Sequence, residues 1–275
     1  MGIDVSKLKV PTTSGAGLQV MEAISGTEPD LGLVGDMIAK DPVLTSTLLR
    51  IANSAMYRRD KEISNVRTAV GMLGAQKVRM AVTVVAMRSI EAKGSPIQEL
   101  EWEHCFAIST LCRLIGQYAF PVMMEDLELT GLLHDMGALI LIANYPAEYE
   151  KLVQAANKRD MPIVDAEKKY FGLDRNEVLM HMSDALHLPD VTRQAMEAFR
   201  QERPIESIDT EVDTHVAVLT LAHHIDRGLQ AESPLPIEKL PGSLGAIKET
   251  IGLSDENLDD IYEEYQNLLN SVISV

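Results

Sequence analysis

The chain has 275 residues, 46% apolar and 24% charged, the balance of a globular protein with a sizeable core rather than a disordered chain. Lys plus Arg (25) against Asp plus Glu (41) gives a net charge of −16. Such acidity opposes approach to nucleic acid or to an anionic membrane, and neither is expected as a partner.

Helical punctuation runs along the chain. Asp41-Pro42 predicts an N-cap followed by Pro at the first helical position, opening a helix through Leu44, Leu48, Leu49 and Ile51 that ends at Asn53-Ser54. Ser64 opens a short helix to Leu73, closed by Gly74, and a longer one follows over Ala75–Ile90. Gly94-Ser95-Pro96 is a seam. Beyond it, Ile97–Ala119 and Glu125–Ala143 read as two long helical stretches joined around Pro121. Pro146 and Pro162 each start a further helix, and Asp174-Arg175-Asn176-Glu177 has the form of a capping box. Leu188-Pro189 marks a break before a helix to Phe199, and Gln201–Pro204 reads as a loop. Val212–Leu229 is a strong helix, and the Pro-rich Ser233–Pro241 forms a second seam. Ser254-Asp255-Glu256-Asn257 caps a final acidic helix. No segment reads as a strand or a repeat, so the fold class is all-α.

Cys105 and Cys112 lie on one predicted helix, about 10 Å apart along its axis. That is too far for a mutual disulfide, and two unpaired thiols suit a reducing compartment. Met1–Val10 offers no signal-peptide core, and no apolar run approaches the ~20 residues of a membrane span. Met1-Gly2-Ile3-Asp4-Val5-Ser6 fits the myristoylation pattern, which is short enough to arise by chance. The expected location is cytoplasmic.

One constellation carries chemistry: His104, then Gly131-Leu132-Leu133-His134-Asp135-Met136-Gly137. Consecutive helical side chains diverge by about 100°, so His134 and Asp135 close on one metal only in a groove completed by other helices. His104 is the natural third ligand, and His223, with Asp226 one turn on, is the fourth. Imidazole plus carboxylate suits one divalent transition metal, Zn, Fe, Mn or Ni. The plainer reading is a buried polar cluster in which His134, Asp135 and His104 satisfy one another, and residue chemistry leaves both open.

These residues resemble the HD superfamily of metal-dependent phosphohydrolases, and the wider pattern resembles its HDOD (HD-related output domain) branch of bacterial signalling proteins. The resemblance rests on Asp41-Pro42, on Leu49-Arg50-Ile51-Ala52-Asn53-Ser54-Ala55 with Tyr57, and on Ile63-Ser64 leading to Ala69 and Leu73-Gly74. It continues through Trp102-Glu103-His104, the His134-Asp135 segment, Glu167 with Phe171-Gly172, and Leu188-Pro189. It covers about residues 10–205. It implies a two-lobed helical bundle, an N-terminal lobe over about 10–95 and an HD-like lobe over about 96–230; the last seventy or so residues lie outside the resemblance, and 231–275 reads as an acidic helical extension.

The resemblance implies a signalling role, often without a complete catalytic set. Here His223 stands where the active pattern has Asp, and Ala138 where the cyclic-dinucleotide hydrolases have Lys. Phe199-Arg200 lies where a His-His pair is common, Arg175 where a His is common, and Leu186 where a Trp is common. The expectation is a non-catalytic module that binds a signalling protein, with His104, His134, Asp135 and His223 as a candidate metal site. The alternative is a metal-dependent phosphohydrolase acting on a nucleotide or cyclic dinucleotide.

Residues 50–93 hold nine basic groups against three acidic ones, +6 against −22 for the rest. Arg58, Arg59, Lys61, Lys77 and Arg79 are therefore candidate partner-binding residues, the plainer reading being a solvated helix face. The acidic tail Ser254–Val275 is one candidate occupant of that surface. Of His223-His224 at most one faces the groove, Met72, Met80 and Met87 read as core filler, and Cys105 as an inert core thiol.

Overall fold

The computed structural model describes residues 2–9, 11, 14–26, 28–54, 57, 62–90, 94–184, 188–201, 204–229 and 240–273. Helix accounts for all regular structure among them, with no strand. The chain divides into two compact units, Pro11–Ile90 with Gln266–Val275, and Met1–Val10 with Glu91–Tyr265.

The first unit is built from α1 (Gly15–Ala23), α2 (Leu31–Ile38), α3 (Pro42–Ala52) and α4 (Val66–Arg88). Each starts on a side-chain cap: Ser14, Asp30, Asp41 and Asn65 accept from main-chain N–H groups in the first turn. Asn65 replaces the expected Ser64 as opener because its carboxamide reaches Thr68 N. Val20, Val34, Ile38, Leu48, Val70 and Val78 are fully buried in the core of this unit. Gly74, at φ 77°, breaks α4 in two, the left-handed backbone that glycine adopts without cost. Asn53 clamps the chain beyond α3: Nδ2 donates to Leu49 O and Ile63 O, and Oδ1 accepts from Ile63 N, each at 2.8 Å.

Helix α4 is long and apolar enough to cross a membrane, but 61% of its most apolar window is buried inside the protein. It carries one correction to the expected basic face. Lys77 is only 1% exposed, with Nζ 3.7 Å from Met80 Sδ and 5.1 Å from the Tyr57 ring centroid, because its side of the helix turns into the core. Arg79 is half-buried. Arg58, Arg59 and Lys61 lie outside the described residues.

The second unit holds α5 (Pro96–Ala119), α6 (Met124–Leu133), α7 (Met136–Asn144), α8 (Pro146–Lys158), α9 (Ile163–Phe171), α10 (Arg175–Met182), α11 (Asp190–Phe199), α12 (Glu211–Leu229) and α13 (Leu244–Ile251). Helix α14 (Asp255–Ile273) begins in it. Residues 2–9 are tied to it by Ile3 N donating to Phe171 O at 2.9 Å and Lys9 N to Asn144 Oδ1 at 2.7 Å.

The expected continuous stretch Glu125–Ala143 is corrected to two helices. It breaks at His134-Asp135, where Asp135 takes the non-helical φ −112°, ψ 18°. Apolar residues continue on both sides of this break, so the pattern hides it. Two close approaches frame it. A Cβ on Gly131 would lie 2.8 Å from Ser109 Cα, so α6 packs directly on the α5 backbone. A Cβ on Gly137 would lie 1.6 Å from Arg175 O, so only glycine lets the start of α7 meet the start of α10.

Candidate functional site

Three imidazoles converge in the second unit: His104 from α5, His134 from the α6–α7 break, and His223 from α12. Their ligand atoms all lie within 4.8 Å of one another. The Nε2 atoms of His104 and His134 are 3.3 Å apart. Each ring is oriented by its other nitrogen. His134 Nδ1 donates to Gly131 O at 2.7 Å, His223 Nδ1 to Leu219 O at 2.8 Å, and His104 Nδ1 to Asp226 Oδ2 at 3.3 Å. Carbonyl and carboxylate oxygens only accept, so each Nδ1 carries a proton, and Nε2 is the atom each neutral ring would offer as a ligand.

This donor set fits a divalent transition metal. Zinc–imidazole bonds of about 2.0–2.1 Å set tetrahedral ligand atoms about 3.3 Å apart, the observed His104–His134 spacing. The carboxylate behind His104 and the carbonyls behind His134 and His223 are the outer partners that metal-binding histidines use. Burial, with His104 beside it, pushes His223 down to about 4, so the ring is neutral and available as a ligand at neutral pH.

Asp135 is close but differently engaged. Its Oδ2 lies 3.5 Å from His134 Nε2 and 3.9 Å from His104 Nε2, yet accepts from Arg175 Nη1 at 2.5 Å. Arg175 is buried, and its Nη1 also donates to Glu101 Oε1, its Nε to Glu167 Oε1 and its Nη2 to Tyr149 Oη, each at 2.9 Å. Tyr149 Oη donates in turn to Glu167. Burial raises the Asp135 carboxyl, but Arg175 and the imidazoles outweigh it and hold the group well below the usual range. Burial pushes Glu101 up to about 8, opposed by the Arg175 guanidinium beside it.

Local sequence fixes the arginine. Asp174 accepts from Asn176 N and Glu177 N at 3.0 Å, and Glu177 Oε2 accepts from Asp174 N at 2.9 Å, the predicted capping box. Arg175 is thereby the first residue of α10, with its main-chain N donating to Glu167 Oε2 at 2.9 Å.

Of the predicted ligands, the structure groups His104, His134 and His223, and places Asp135 beside them in the grip of Arg175. His223 turns inward while His224 is half-buried with Nε2 3.4 Å from Pro241 O. Ala138 is buried, Phe199 sets its ring 5.2 Å from that of His223, and Leu186 lies outside the described residues. Burial pushes the Cys105 thiol far up, so it stays protonated. Sequence reasoning noted Arg175 only as a departure from a pattern and gave Glu101 and Tyr149 no role. An acidic residue one turn before His104 on an apolar face was the available signal for Glu101.

The HDOD domain family matches residues 10–202, and the chain belongs to it. Solved structures with the same fold include an HDOD domain protein of unknown function from Geobacter sulfurreducens, 21% identical, TM-score 0.68, covering 96% of this chain and 95% of that one. A provisionally named phosphohydrolase from Shewanella amazonensis is 19% identical, TM-score 0.70, covering 97% and 93%. A provisionally named signal transduction protein from Marinobacter aquaeolei is 16% identical, TM-score 0.70, covering 96% and 58%. At these identities the likeness shows the fold alone. An uncharacterized protein of Treponema pallidum is 22% identical over 241 residues, 86% of this chain and 45% of that one, so the chain spans under half of this curated relative.

Proposed function

We propose that this chain is a non-catalytic regulatory module of cytoplasmic signal transduction that acts by binding a partner protein, with the histidine trio as a metal or ligand site. The observation that carries this reading is the 2.5 Å pairing of Arg175 with Asp135. Hydrolysis of a phosphate ester needs a positioned water, a group to take its proton, and positive charge where the phosphate gains negative charge. The carboxylate beside the Nε2 atoms of His104 and His134 is committed to a buried guanidinium, and position 138, an alanine, offers no cation. A bound metal would be held by His104, His134 and His223 and would supply Lewis acidity.

The convergent imidazoles favour a second reading, a metal-dependent phosphohydrolase acting on a nucleotide or cyclic dinucleotide. Elemental analysis of tag-free protein beside His134→Ala, with phosphodiester assays in added Zn, Mn, Fe or Ni, separates the two. The module reading expects no turnover under any metal, whether or not the wild type carries one. Turnover by the wild type that His134→Ala abolishes would overturn it.

A further inference from the structure

We infer that Arg175 is an internal cation, seated in a cage of Glu101, Asp135 and Glu167 whose oxygens are otherwise the donor set of a hard divalent ion. The three carboxylates come from three places in the chain: α5, the α6–α7 break and α9. Each places an oxygen within 2.9 Å of a guanidinium nitrogen, and Tyr149 adds a fourth oxygen at 2.9 Å. All four residues are at most 3% exposed, so water does not screen them from one another.

Carboxylate and hydroxyl oxygens turned toward one buried cation are the ligand types that magnesium or calcium takes, whereas imidazole nitrogens suit later transition metals. The guanidinium answers the same charge with one delocalised positive group and a planar set of donors. Its place is fixed from outside the cage, by the capping box that starts α10 and by the glycine contact at residue 137. The arginine therefore closes the oxygen side of the groove to ions. Ion binding is confined to the imidazole side, and Asp135, the group shared by both sides, is given to the arginine. This deepens the proposed reading, resting on it only for the withholding of Asp135.

The test is thermal unfolding of the full chain and of Arg175→Met, in chelated buffer and in millimolar magnesium or calcium chloride. The expected result is a large loss of Tm for Arg175→Met in chelated buffer, with at least about 5 °C regained in one of the two salts. The wild type should move by less than about 1 °C. Glu167→Gln added to Arg175→Met should weaken the apparent cation affinity at least about tenfold. The inference is overturned if Arg175→Met is as stable as the wild type without added ions, or gains nothing from either salt. It is equally overturned if the variant stays unfolded in both salts, or if Glu167→Gln leaves the response unchanged. Stability is the readout, so failure here leaves the phosphodiester assay to decide the proposed function on its own.

Discussion

His104 Nδ1 and Asp226 Oδ2 lie 3.3 Å apart, joining the middle of α5 to the last turns of α12 across 122 residues. The carboxylate accepts the ring proton and so aims His104 Nε2 at His134 and His223. Asp226→Ala should therefore weaken zinc binding about 10- to 100-fold without removing a ligand. Competition against a chromogenic chelator measures this, and an unchanged affinity would remove Asp226 from the site.

Gly137 is required by packing rather than by backbone angle. A methyl group there would fall 1.6 Å from Arg175 O, a distance no atom pair tolerates, so α7 and α10 must separate. Gly137→Ala should cost at least about 3 kcal/mol in denaturant unfolding, well above an ordinary helical Gly→Ala change. It should also loosen Asp135 from Arg175.

His215 makes stability depend on pH. It is 1% exposed on α12, with Nδ1 2.7 Å from Thr130 Oγ1, which is itself 3.2 Å from Thr192 Oγ1. Burial pushes its pKa down from 6.5 to about 4. Below pH 6.5 the unfolded chain takes up a proton that the folded chain refuses until about pH 4. Its contribution is complete above that window and falls with acidification, by about 2 kcal/mol at pH ~5. His223, shifted in the same direction, adds to the slope. Denaturant unfolding at pH ~7 and ~5 should show a smaller difference for His215→Gln than for wild type.

Asn53 holds the turn after α3 through three hydrogen bonds to main-chain groups of Leu49 and Ile63. Asn53→Ala removes the side-chain partner of both half-buried Ile63 groups, while Leu49 O keeps the main-chain N–H of residue 53, and a loss of about 2–3 kcal/mol is expected. Urea titration checks it. A change below about 0.5 kcal/mol would mean that water replaces the clamp.

Much of the fold was legible because helix starts are local. Asp41 and Asp174 bond to N–H groups two and three residues ahead, so a few consecutive residues carry the whole signal. Helices α1 and α2 escaped despite caps at Ser14 and Asp30, since they are short and interrupted by glycines. The family pattern likewise made His104 and His134 legible, with no guide to what each ring nitrogen meets.

The sequence by itself determined an all-α chain and its main helix starts, because caps act within a few residues, and its resemblance to a family pattern marked His104 with His134-Asp135. Only the tertiary structure decided that α6 and α7 part at His134, that His223 rather than its neighbour turns inward, and that Lys77 is buried. It also decided that Asp135 belongs first to Arg175, 40 residues away. A buried carboxylate goes to whichever cation packing brings within reach, and that choice is made only when α7 and α10 close on Gly137.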